Sequence, residues 1–380
     1  MTLPLANTRV TGLGDRLRKM HWLIITLLCA LAAIGVLMHF SVTDGTWAGR
    51  PVDHATRFAI ILVFVIGLSL LDSRIWMAVA YPLYLVALVL LIGVEAIGDT
   101  RLGAQRWLEL GPVSLQPSEL MKVAIVLALA RYYQNMDPRR TGQMLPLLTP
   151  IVMIGMPTAL VMHQPDLGTA LLIAGAGFGM MFLAGLRWRY IIAAAAVALP
   201  GAIYAYFFVL QTYQRQRVIT FLDPDADPLG AGYHQLQSRI AIGSAGLFGQ
   251  GYGEGPQSQL DFLPEKHTDF IFTMIVEEFG LIGAFLVVGL FVWLLTLVMR
   301  VSVQAKTLFA RLAAGGVGIT IALYVLINTS MVIGLVPVVG IPLPLLSFGG
   351  TAMLTIMAGV AIVLSIHLNR DASSSRGFVW

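Results

Sequence analysis

Charged residues are scarce in this sequence, and that scarcity bounds its class before any motif is considered. Asp, Glu, Lys and Arg make up 12% of its 380 residues, and 57% are hydrophobic, with a mean hydropathy of +0.81. Soluble globular chains carry about 25% charge, so a water-soluble core of this size is excluded. Lipid must therefore be the solvent for most of the chain.

Cysteine and basic clusters are equally rare. Cys29 is the single cysteine, which excludes an intramolecular disulfide and a cysteine metal site and leaves a small buried hydrophobe as the simplest interpretation. The net charge is only +4, and no basic patch alternates with aromatic residues. Nucleic-acid binding is therefore excluded.

Long apolar runs dominate what is present. A helix needs about 20 apolar residues to cross a bilayer, and ten continuous runs meet or approach that length. They cover residues 21–40, 57–71, 76–97, 117–133, 145–163, 168–186, 189–210, 268–299, 309–333 and 343–368. We therefore predict an all-α polytopic membrane protein, with residues 1–380 as one transmembrane domain of about ten helices. A large extracytoplasmic loop, 211–267, joins helices seven and eight.

Lysine and arginine are distributed unevenly over the two sides of this predicted bundle. The short loops on one side hold only Arg50, Arg101 and Arg106, whereas most of the other basic residues fall on the opposite side. Short loops rich in Lys and Arg stay in the cytoplasm. Both termini are therefore predicted to be cytoplasmic, in a multi-pass membrane protein.

The start of the eighth predicted helix carries acids where lipid disfavours them. Thr268 is a plausible N-cap, which places Asp269 in the first turn, where an acid also stabilises the helix dipole. Thr273 and Glu277 follow at helical spacing and share one face with Asp269. Because an ionised acid is costly in lipid, this face should line a cavity or contact partner helices. Glu278 points elsewhere, and we expect it to make a structural hydrogen bond or ion pair.

A second charged pair lies at the start of the fourth predicted helix, in Gln116-Pro-Ser-Glu-Leu-Met-Lys. Glu119 and Lys122 are three residues apart and so neighbours on one face. They either satisfy each other inside the membrane or tune a third group across the bundle. Arg106, in the preceding outer loop, either pairs with a phosphate or anchors the interface. Arg239 is a weaker phosphate candidate.

Three further segments are polar or rich in small residues. Asp166, in His163-Gln-Pro-Asp-Leu-Gly-Thr, either caps helix six or faces a substrate. Ser347 belongs to Pro342-Leu-Pro-Leu-Leu-Ser-Phe-Gly-Gly, a proline-broken start to helix ten of the kind that lines cavities. The glycines between 243 and 255 permit close backbone approach or an anion nest, but no P-loop lysine follows them.

In these motifs the chain resembles the SEDS family (shape, elongation, division and sporulation proteins) over nearly its whole length. The resemblance is carried by Gln116-Pro-Ser-Glu with Lys122, by Gln164-Pro-Asp-Leu-Gly-Thr, by Leu263-Pro-Glu through Asp269-Phe-Ile-Phe, and by 340–350. The run Pro337-Val-Val-Gly-Ile-Pro-Leu-Pro is similar to the elongation-type, RodA-like members rather than to the division-type members.

The resemblance implies a peptidoglycan glycosyltransferase that polymerises lipid II into glycan strands during cell elongation. It implies a class B penicillin-binding protein, a transpeptidase, as partner, together with other proteins of the elongation complex. Asp269 matches the family's essential aspartate, and Glu119 and Lys122 match its helix-four charged pair. These three are the predicted catalytic residues. The predicted substrate-binding residues are Arg106, Asp166, Arg239, Glu277 and Ser347.

In the mechanism that we expect, Asp269 acts as the general base on the attacking sugar hydroxyl. Lys122, Arg106, Arg239 or a divalent cation, Mg²⁺ or Mn²⁺, would neutralise the pyrophosphate of the leaving lipid; no other cofactor is expected. Two alternatives stay open: a flippase for the lipid-linked precursor, and a non-catalytic scaffold of a synthetic complex. Clustering of polar groups at one mouth of the bundle favours the enzyme over the flippase.

Overall fold

The computed structural model describes residues 12–43, 45–101, 104–110, 113–137, 144–208, 210, 212–223, 231–259, 262–263 and 265–370. Some side chains within these ranges, that of Arg101 among them, are not described. Pro264, from the Leu263-Pro-Glu motif, lies outside the described residues.

Fourteen helices occur within the described ranges. They are α1 (Leu13–Arg18), α2 (Trp22–Val42), α3 (Arg50–Ser69), α4 (Ser73–Ile97), α5 (Pro117–Gln134), α6 (Met144–His163), α7 (Leu167–Leu183), α8 (Trp188–Phe208), α9 (Thr212–Leu222), α10 (Ala231–Ser244), α11 (Pro256–Gln259), α12 (Ile271–Gln304), α13 (Leu308–Ile333) and α14 (Gly350–Leu368). The ten predicted apolar runs coincide with α2–α8 and α12–α14. Seven of these helices are long and apolar enough to span a membrane, namely α2, α3, α4, α6, α12, α13 and α14. The predicted polytopic helical bundle is confirmed.

A small antiparallel sheet, which the all-α prediction did not include, lies between α4 and α5. Its strands are β1 (Asp99–Arg101), β2 (Ala104–Leu110) and β3 (Val113–Leu115), in the order β1-β2-β3. Leu108 of β2 is buried and pairs with Leu115 of β3. Strands of three residues are too short to give an alternating pattern, so the sequence showed only a loop here. The sheet carries Arg106 at one end of the bundle.

The start of α12 differs from the prediction. The helix begins at Ile271 with Phe270 in the N-cap position, so Thr268 is not its cap. The hydroxyl of Thr268 instead donates to the carboxylate of Glu265 at 2.8 Å and closes a turn over residues 265–270. Asp269 therefore lies in this turn, which we call the aspartate turn, and not in the first turn of a helix.

Farther along, α12 is interrupted at Gly280, and the glycine-rich stretch fills the interruption. Gly280 has a φ of +65°, and a Cβ on it would lie 2.4 Å from the backbone nitrogen of Gly249. The N–H groups of residues 250 and 251 donate to the carbonyls of 277 and 278 at 2.8 and 3.1 Å, and those of 281 and 282 donate to 246 and 247 at 3.1 and 3.2 Å. The glycines thus serve close backbone approach, one of the two roles that the sequence left open.

Helix α13 lies at the centre of the bundle and packs against α5, α7, α12 and α14. Small residues permit this close packing: a Cβ on Gly316 would lie 2.3 Å from the sulfur of Met180 and 2.6 Å from a methyl group of Val126. One turn apart at the other end of α13, Tyr324 and Asn328 are fully buried. Both belong to the candidate site.

Candidate active site

The aspartate turn is fixed through its backbone. The carbonyl groups of residues 267, 268 and 269 each accept a hydrogen bond from another element. Their donors are the N–H of Phe348 at 2.8 Å, the hydroxyl of Ser347 at 2.6 Å and the side-chain amide of Asn328 at 2.9 Å. Two of the donors belong to residues 342–349, which we call the clamp loop. The loop and α13 therefore set the position of Asp269.

The carboxylate of Asp269 is half-buried, and its surroundings disfavour the ionised form. Its pKa is raised to about 7, first by burial and then by the carboxylates of Glu265 and Asp166, against the opposing guanidinium of Arg217. None of the described residues donates a hydrogen bond to this carboxylate. Gly340, with a φ of +73°, lies beside it, because a Cβ there would sit 3.5 Å from Oδ2. A carboxylate with a pKa near the working pH suits general-base catalysis.

Glu119 and Lys122 form a compact cluster inside the bundle. The ammonium of Lys122 lies 2.7 Å from Glu119 Oε1 and also donates to the hydroxyl of Tyr324. The other oxygen of Glu119 accepts from Thr355 at 2.5 Å and from Tyr324 at 3.4 Å. Lys122 is only 1% exposed. The pair thus satisfies itself with help from α13 and α14, which supports the first of the two roles predicted for it.

No contact among the described residues joins this cluster directly to Asp269. The connection runs along α13, where Tyr324 contacts the charged pair and Asn328, four residues on, holds the carbonyl of Asp269. Asn328 also donates to the Ile341 carbonyl at 2.7 Å. Any effect of Glu119 and Lys122 on the aspartate turn must therefore pass through α13, and their assignment as catalytic residues stays a prediction.

Asp166 and Arg106 meet at the connection between α6 and α7. Asp166 caps α7 by accepting from the Thr169 N–H at 3.1 Å, and it also accepts from the Gln116 side chain at 3.4 Å. Arg106 lies 3.8 Å from the same carboxylate and donates to the carbonyls of Gln164, at 3.3 Å, and of residue 165. The cap predicted for Asp166 is present. Arg106 anchors this connection, although about a third of its side chain is still exposed.

Glu277 and Ser347, both predicted to bind substrate, are buried and hydrogen-bonded to neighbouring segments of the protein. Glu277 is fully buried and accepts from the backbone N–H groups of 257 and 258 at 2.8 and 3.1 Å. Ser347 is 3% exposed, and its hydroxyl lies between the carbonyl of 268 and the N–H of 343. Both side chains thus support neighbouring backbone segments, and their substrate-binding roles stay predictions.

Arg239 and Glu278 also have protein partners. Arg239 donates to the carbonyl of Gly334 at 2.9 Å, at the C-terminus of α13, so its substrate-binding role stays a prediction. Glu278 accepts from the hydroxyl of Ser41 at 2.5 Å, which is the structural hydrogen bond that the sequence predicted. Thr273 contacts the hydroxyl of Ser238 at 2.8 Å. The polar face of α12 therefore packs on α10 and the 251–259 segment.

Arg217 on α9 was missed by the sequence analysis. Its guanidinium donates to the carbonyl of Val338 at 3.1 Å, and Val338 is two residues from Gly340, which lies beside Asp269. The signal was Gln214-Arg-Gln-Arg, the densest polar run of the large loop. No pattern indicated which arginine of the loop returns to the aspartate turn.

Arg217 also lies at the edge of an apolar groove of ≈ 360 Å³ between α7, α9 and α13. Its lining is Leu167, Leu171, Leu210, Gln214, Arg217, Val218, Leu326, Ile327, Ser330, Val336, Pro337, Val338 and Val339. The groove falls within the range of about 300–1,000 Å³ that is usual for ligand pockets. An apolar chain lying in it would contact Arg217 and the segment that leads to Gly340 beside Asp269.

No cluster of three or more His, Cys, Asp or Glu side chains suited to a metal occurs in the part of the chain that the structure describes. The Mg²⁺ or Mn²⁺ considered from the sequence therefore has no ready-made protein site among these residues. Such a cation would depend on oxygen ligands from a bound phosphate.

Comparison with known proteins places the chain among relatives that match it over most of its length. It is 43% identical over 355 residues to the peptidoglycan glycosyltransferase MrdB of Escherichia coli K12, which covers 92% of this chain and 94% of the relative. It is 34% identical over 360 residues to a probable peptidoglycan glycosyltransferase FtsW of Geobacter sp. strain M18, covering 92% and 97%.

Solved structures agree with these relatives. A chain of a peptidoglycan synthase complex that coordinates polymerization and crosslinking superposes with a TM-score of 0.81 at 30% identity, covering 92% of this chain and 98% of that one. The rod shape determining protein RodA of Thermus thermophilus gives 0.68 at 28% identity, covering 92% and 97%. The FTSW_RODA_SPOVE family profile, described as cell cycle protein, matches residues 20–372. The resemblance to RodA-like SEDS proteins is thereby confirmed, and the chain belongs to the FtsW/RodA/SpoVE family.

Proposed function

We infer that this chain is a peptidoglycan glycosyltransferase that polymerises lipid II into glycan strands. The observation that carries this function is the Asp269 carboxylate, which lies at one end of the bundle on a backbone-fixed turn beside an apolar groove. Burial and the neighbouring carboxylates bring its pKa to about 7. The base matches the hydroxyl of a lipid-linked sugar, the cation matches its pyrophosphate, and the apolar groove matches its polyprenyl chain.

Asp269 acts as the general base in this reaction. A sugar hydroxyl attacks the anomeric carbon of a second sugar, whose pyrophosphate is linked to the lipid. The new oxygen–carbon bond forms as the anomeric carbon–phosphate oxygen bond breaks, and the hydroxyl proton passes to Asp269. The polyprenyl pyrophosphate leaves with the electron pair. Direct attack inverts the anomeric centre and requires no second carboxylate as nucleophile.

Arg217 is the cation best placed to neutralise the leaving pyrophosphate. A planar guanidinium suits phosphate oxygens, and this one lies between the apolar groove and the segment beside Asp269. Lys122, which the sequence suggested for the role, is enclosed by Glu119 and Tyr324. A divalent cation held by the pyrophosphate itself would supply further neutralisation.

The polar groups are arranged as expected for an enzyme at one membrane face. Asp269 and Asp166 lie at the starts of α12 and α7, and Glu119 and Lys122 lie in the first turns of α5, whereas Gly316, toward the other end of α13, packs on Met180. A transporter requires alternating access to a site near the midplane.

We propose that the chain is a multi-pass protein of the bacterial inner membrane with cytoplasmic termini, and that it works with a class B penicillin-binding protein and other elongation proteins.

The test compares the wild-type chain with Asp269→Asn, each co-purified with the class B partner and supplied with labelled lipid II. The variant keeps the shape of the side chain but removes its basicity, so we expect it to insert and fold while forming no strands. Full polymerisation by Asp269→Asn would contradict the assignment. The same proteins in sealed vesicles report lipid translocation, and translocation without polymerisation would support the flippase instead.

A further inference from the structure

The clamp loop, which holds the aspartate turn, is itself held from α3. Leu345, in the middle of the loop, has a φ of +67°. A bulky residue adopts this left-handed conformation only where its surroundings impose it. The Nε2 atom of His54, a buried residue of α3, lies 2.9 Å from the carbonyl oxygen of Leu345. Because a carbonyl oxygen only accepts, Nε2 must carry a proton and donate it.

Helix α2 closes the space around this hydrogen bond. A Cβ on Gly35 would lie 2.8 Å from the carbonyl oxygen of Leu345 and 2.9 Å from Nε2 of His54. Any side chain at position 35 must therefore displace one of the two partners. Glycine here allows the backbone of α2 to approach a hydrogen bond that joins two other elements.

A second contact from α3 reaches the same loop. Arg57, one helical turn beyond His54, lies over the ring of Phe348 with 4.8 Å between the guanidinium carbon and the ring centroid. The N–H of Phe348 is the donor to the carbonyl of residue 267. Helix α3 therefore contacts the clamp loop at two points, at Leu345 and three residues later.

Histidine rings fill the space behind the aspartate turn. The ring of His39 on α2 lies 4.8 Å from that of His54 and 6.1 Å from that of His267, measured between centroids. His267 stands two residues before Asp269. Ring packing and the hydrogen bond to Leu345 are therefore two separable contributions of His54, and a test must vary them independently.

We propose that His54 is a positioning residue for glycosyl transfer. Its hydrogen bond holds Leu345 in the left-handed conformation and so keeps Ser347 and Phe348 on the carbonyl groups of the aspartate turn. His54 contacts no reacting atom and acts through the backbone of the clamp loop. As far as turnover is concerned, this role rests on the proposed function.

Four variants of the full chain, co-purified with the class B partner, separate the contributions. His54→Phe keeps an aromatic ring but removes the donor, whereas His54→Gln keeps a donor and removes the ring. Gly35→Ala displaces the same hydrogen bond from the side of α2. Gly67→Ala on α3 is the matched control, because nothing lies within 4 Å of the added Cβ.

We expect His54→Phe and Gly35→Ala to lower kcat at least about tenfold, because displacement of a catalytic group by about 1 Å costs up to about 10²-fold. KM for lipid II should change less than kcat, since no substrate contact is removed. His54→Gln and Gly67→Ala should stay close to the wild type. An unchanged kcat in His54→Phe overturns the proposal, and so does an equal loss in His54→Gln, which would assign the effect to ring packing.

Amide hydrogen exchange tests the clamp without any need for turnover. The N–H groups of Ser347 and Phe348 donate within the clamp and to the aspartate turn, so their exchange reports local opening. We expect about tenfold faster exchange in His54→Phe and no change in Gly67→Ala. If the wild type forms no strands, the proposed function fails while this measurement still decides the role of His54. Unchanged exchange in His54→Phe refutes that role even where activity is lost.

Discussion

The pH dependence of strand synthesis follows from the environment of Asp269. Burial and the neighbouring carboxylates of Glu265 and Asp166 raise its pKa to about 7, against the opposing guanidinium of Arg217. A general base works only when it is deprotonated. We therefore expect kcat to rise with pH through about 7 and to level off about one unit higher. An aspartate with an ordinary pKa of about 3.9 would give a flat profile over that range.

Removal of single charges should move this rising part of the pH–rate profile, which we call the pH limb. Removal of a negative charge and removal of a positive charge should move it in opposite directions. Glu265→Gln removes a negative charge that disfavours the carboxylate, so the pKa falls and the limb moves to lower pH. Arg217→Gln removes a positive charge that favours the carboxylate, so the pKa and the limb rise. A nearby unit charge is worth about 1 kcal/mol in a well-solvated setting, which corresponds to a shift of about half to one pKa unit. Salt should reduce the Glu265 shift, because that side chain is exposed.

The assay is the initial rate of strand formation at saturating lipid II, measured across the neutral pH range at low and high ionic strength. Glu254→Gln is the control, because Glu254 is an exposed acid of the same loop that is not among the groups shifting the pKa of Asp269. A flat wild-type profile, or shifts of the same sign in Glu265→Gln and Arg217→Gln, would refute the reasoning.

Three further predictions concern stability. Because the pKa of Asp269 is raised, its contribution to folding is complete only below the unfolded-state pKa of about 3.9 and is lost as pH rises through about 7. Asp269→Asn should therefore raise the free energy of unfolding, and with it Tm, by about 1–2 kcal/mol at pH about 8 after allowance for partial exposure, and by progressively less as pH falls toward about 4. Lys122→Met leaves Glu119 inside the bundle without its cation, so it should lower the free energy of unfolding by about 3–5 kcal/mol. The double variant Lys122→Met/Glu119→Gln should lose less, and thermal unfolding in detergent would measure the difference. Gly280→Ala places a Cβ 2.4 Å from the Gly249 nitrogen and should lower folded yield sharply, whereas Gly289→Ala, with open space around it, should not.

The membrane helices could be predicted from the sequence, and Asp269 could be proposed as the base, because both depend on local patterns. Apolar runs that meet or approach the length needed to span a bilayer indicate the helices, and the motif around Asp269 is contiguous. The ten apolar runs therefore predicted α2–α8 and α12–α14 in the order in which they occur along the chain. The three-residue strands β1 and β3 could not be predicted, since they are shorter than the period of any detectable alternation.

The geometry around the base could not be predicted, because it depends on pairings between distant segments. Arg217 reaches Val338 across 121 residues, and His54 reaches Leu345 across 291. Nothing in the local sequence separates Arg217 from Arg239, although one lies beside Asp269 and the other caps α13. The left-handed Leu345 also gave no signal, since glycine is the usual residue for that conformation.

The way in which the aspartate turn is held explains how a half-buried carboxylate can remain a base. Donors placed on the carboxylate would have fixed it firmly, but they would also have stabilised the ionised form and lowered its pKa. Here the donors bind the carbonyl groups of residues 267–269 instead. Position is therefore set by the backbone, while basicity is set by burial and by the charges of Glu265, Asp166 and Arg217. Because separate residues control the two properties, loosening of the clamp should reduce kcat through geometry, whereas a change of charge should move the pH limb and leave the aspartate turn in place.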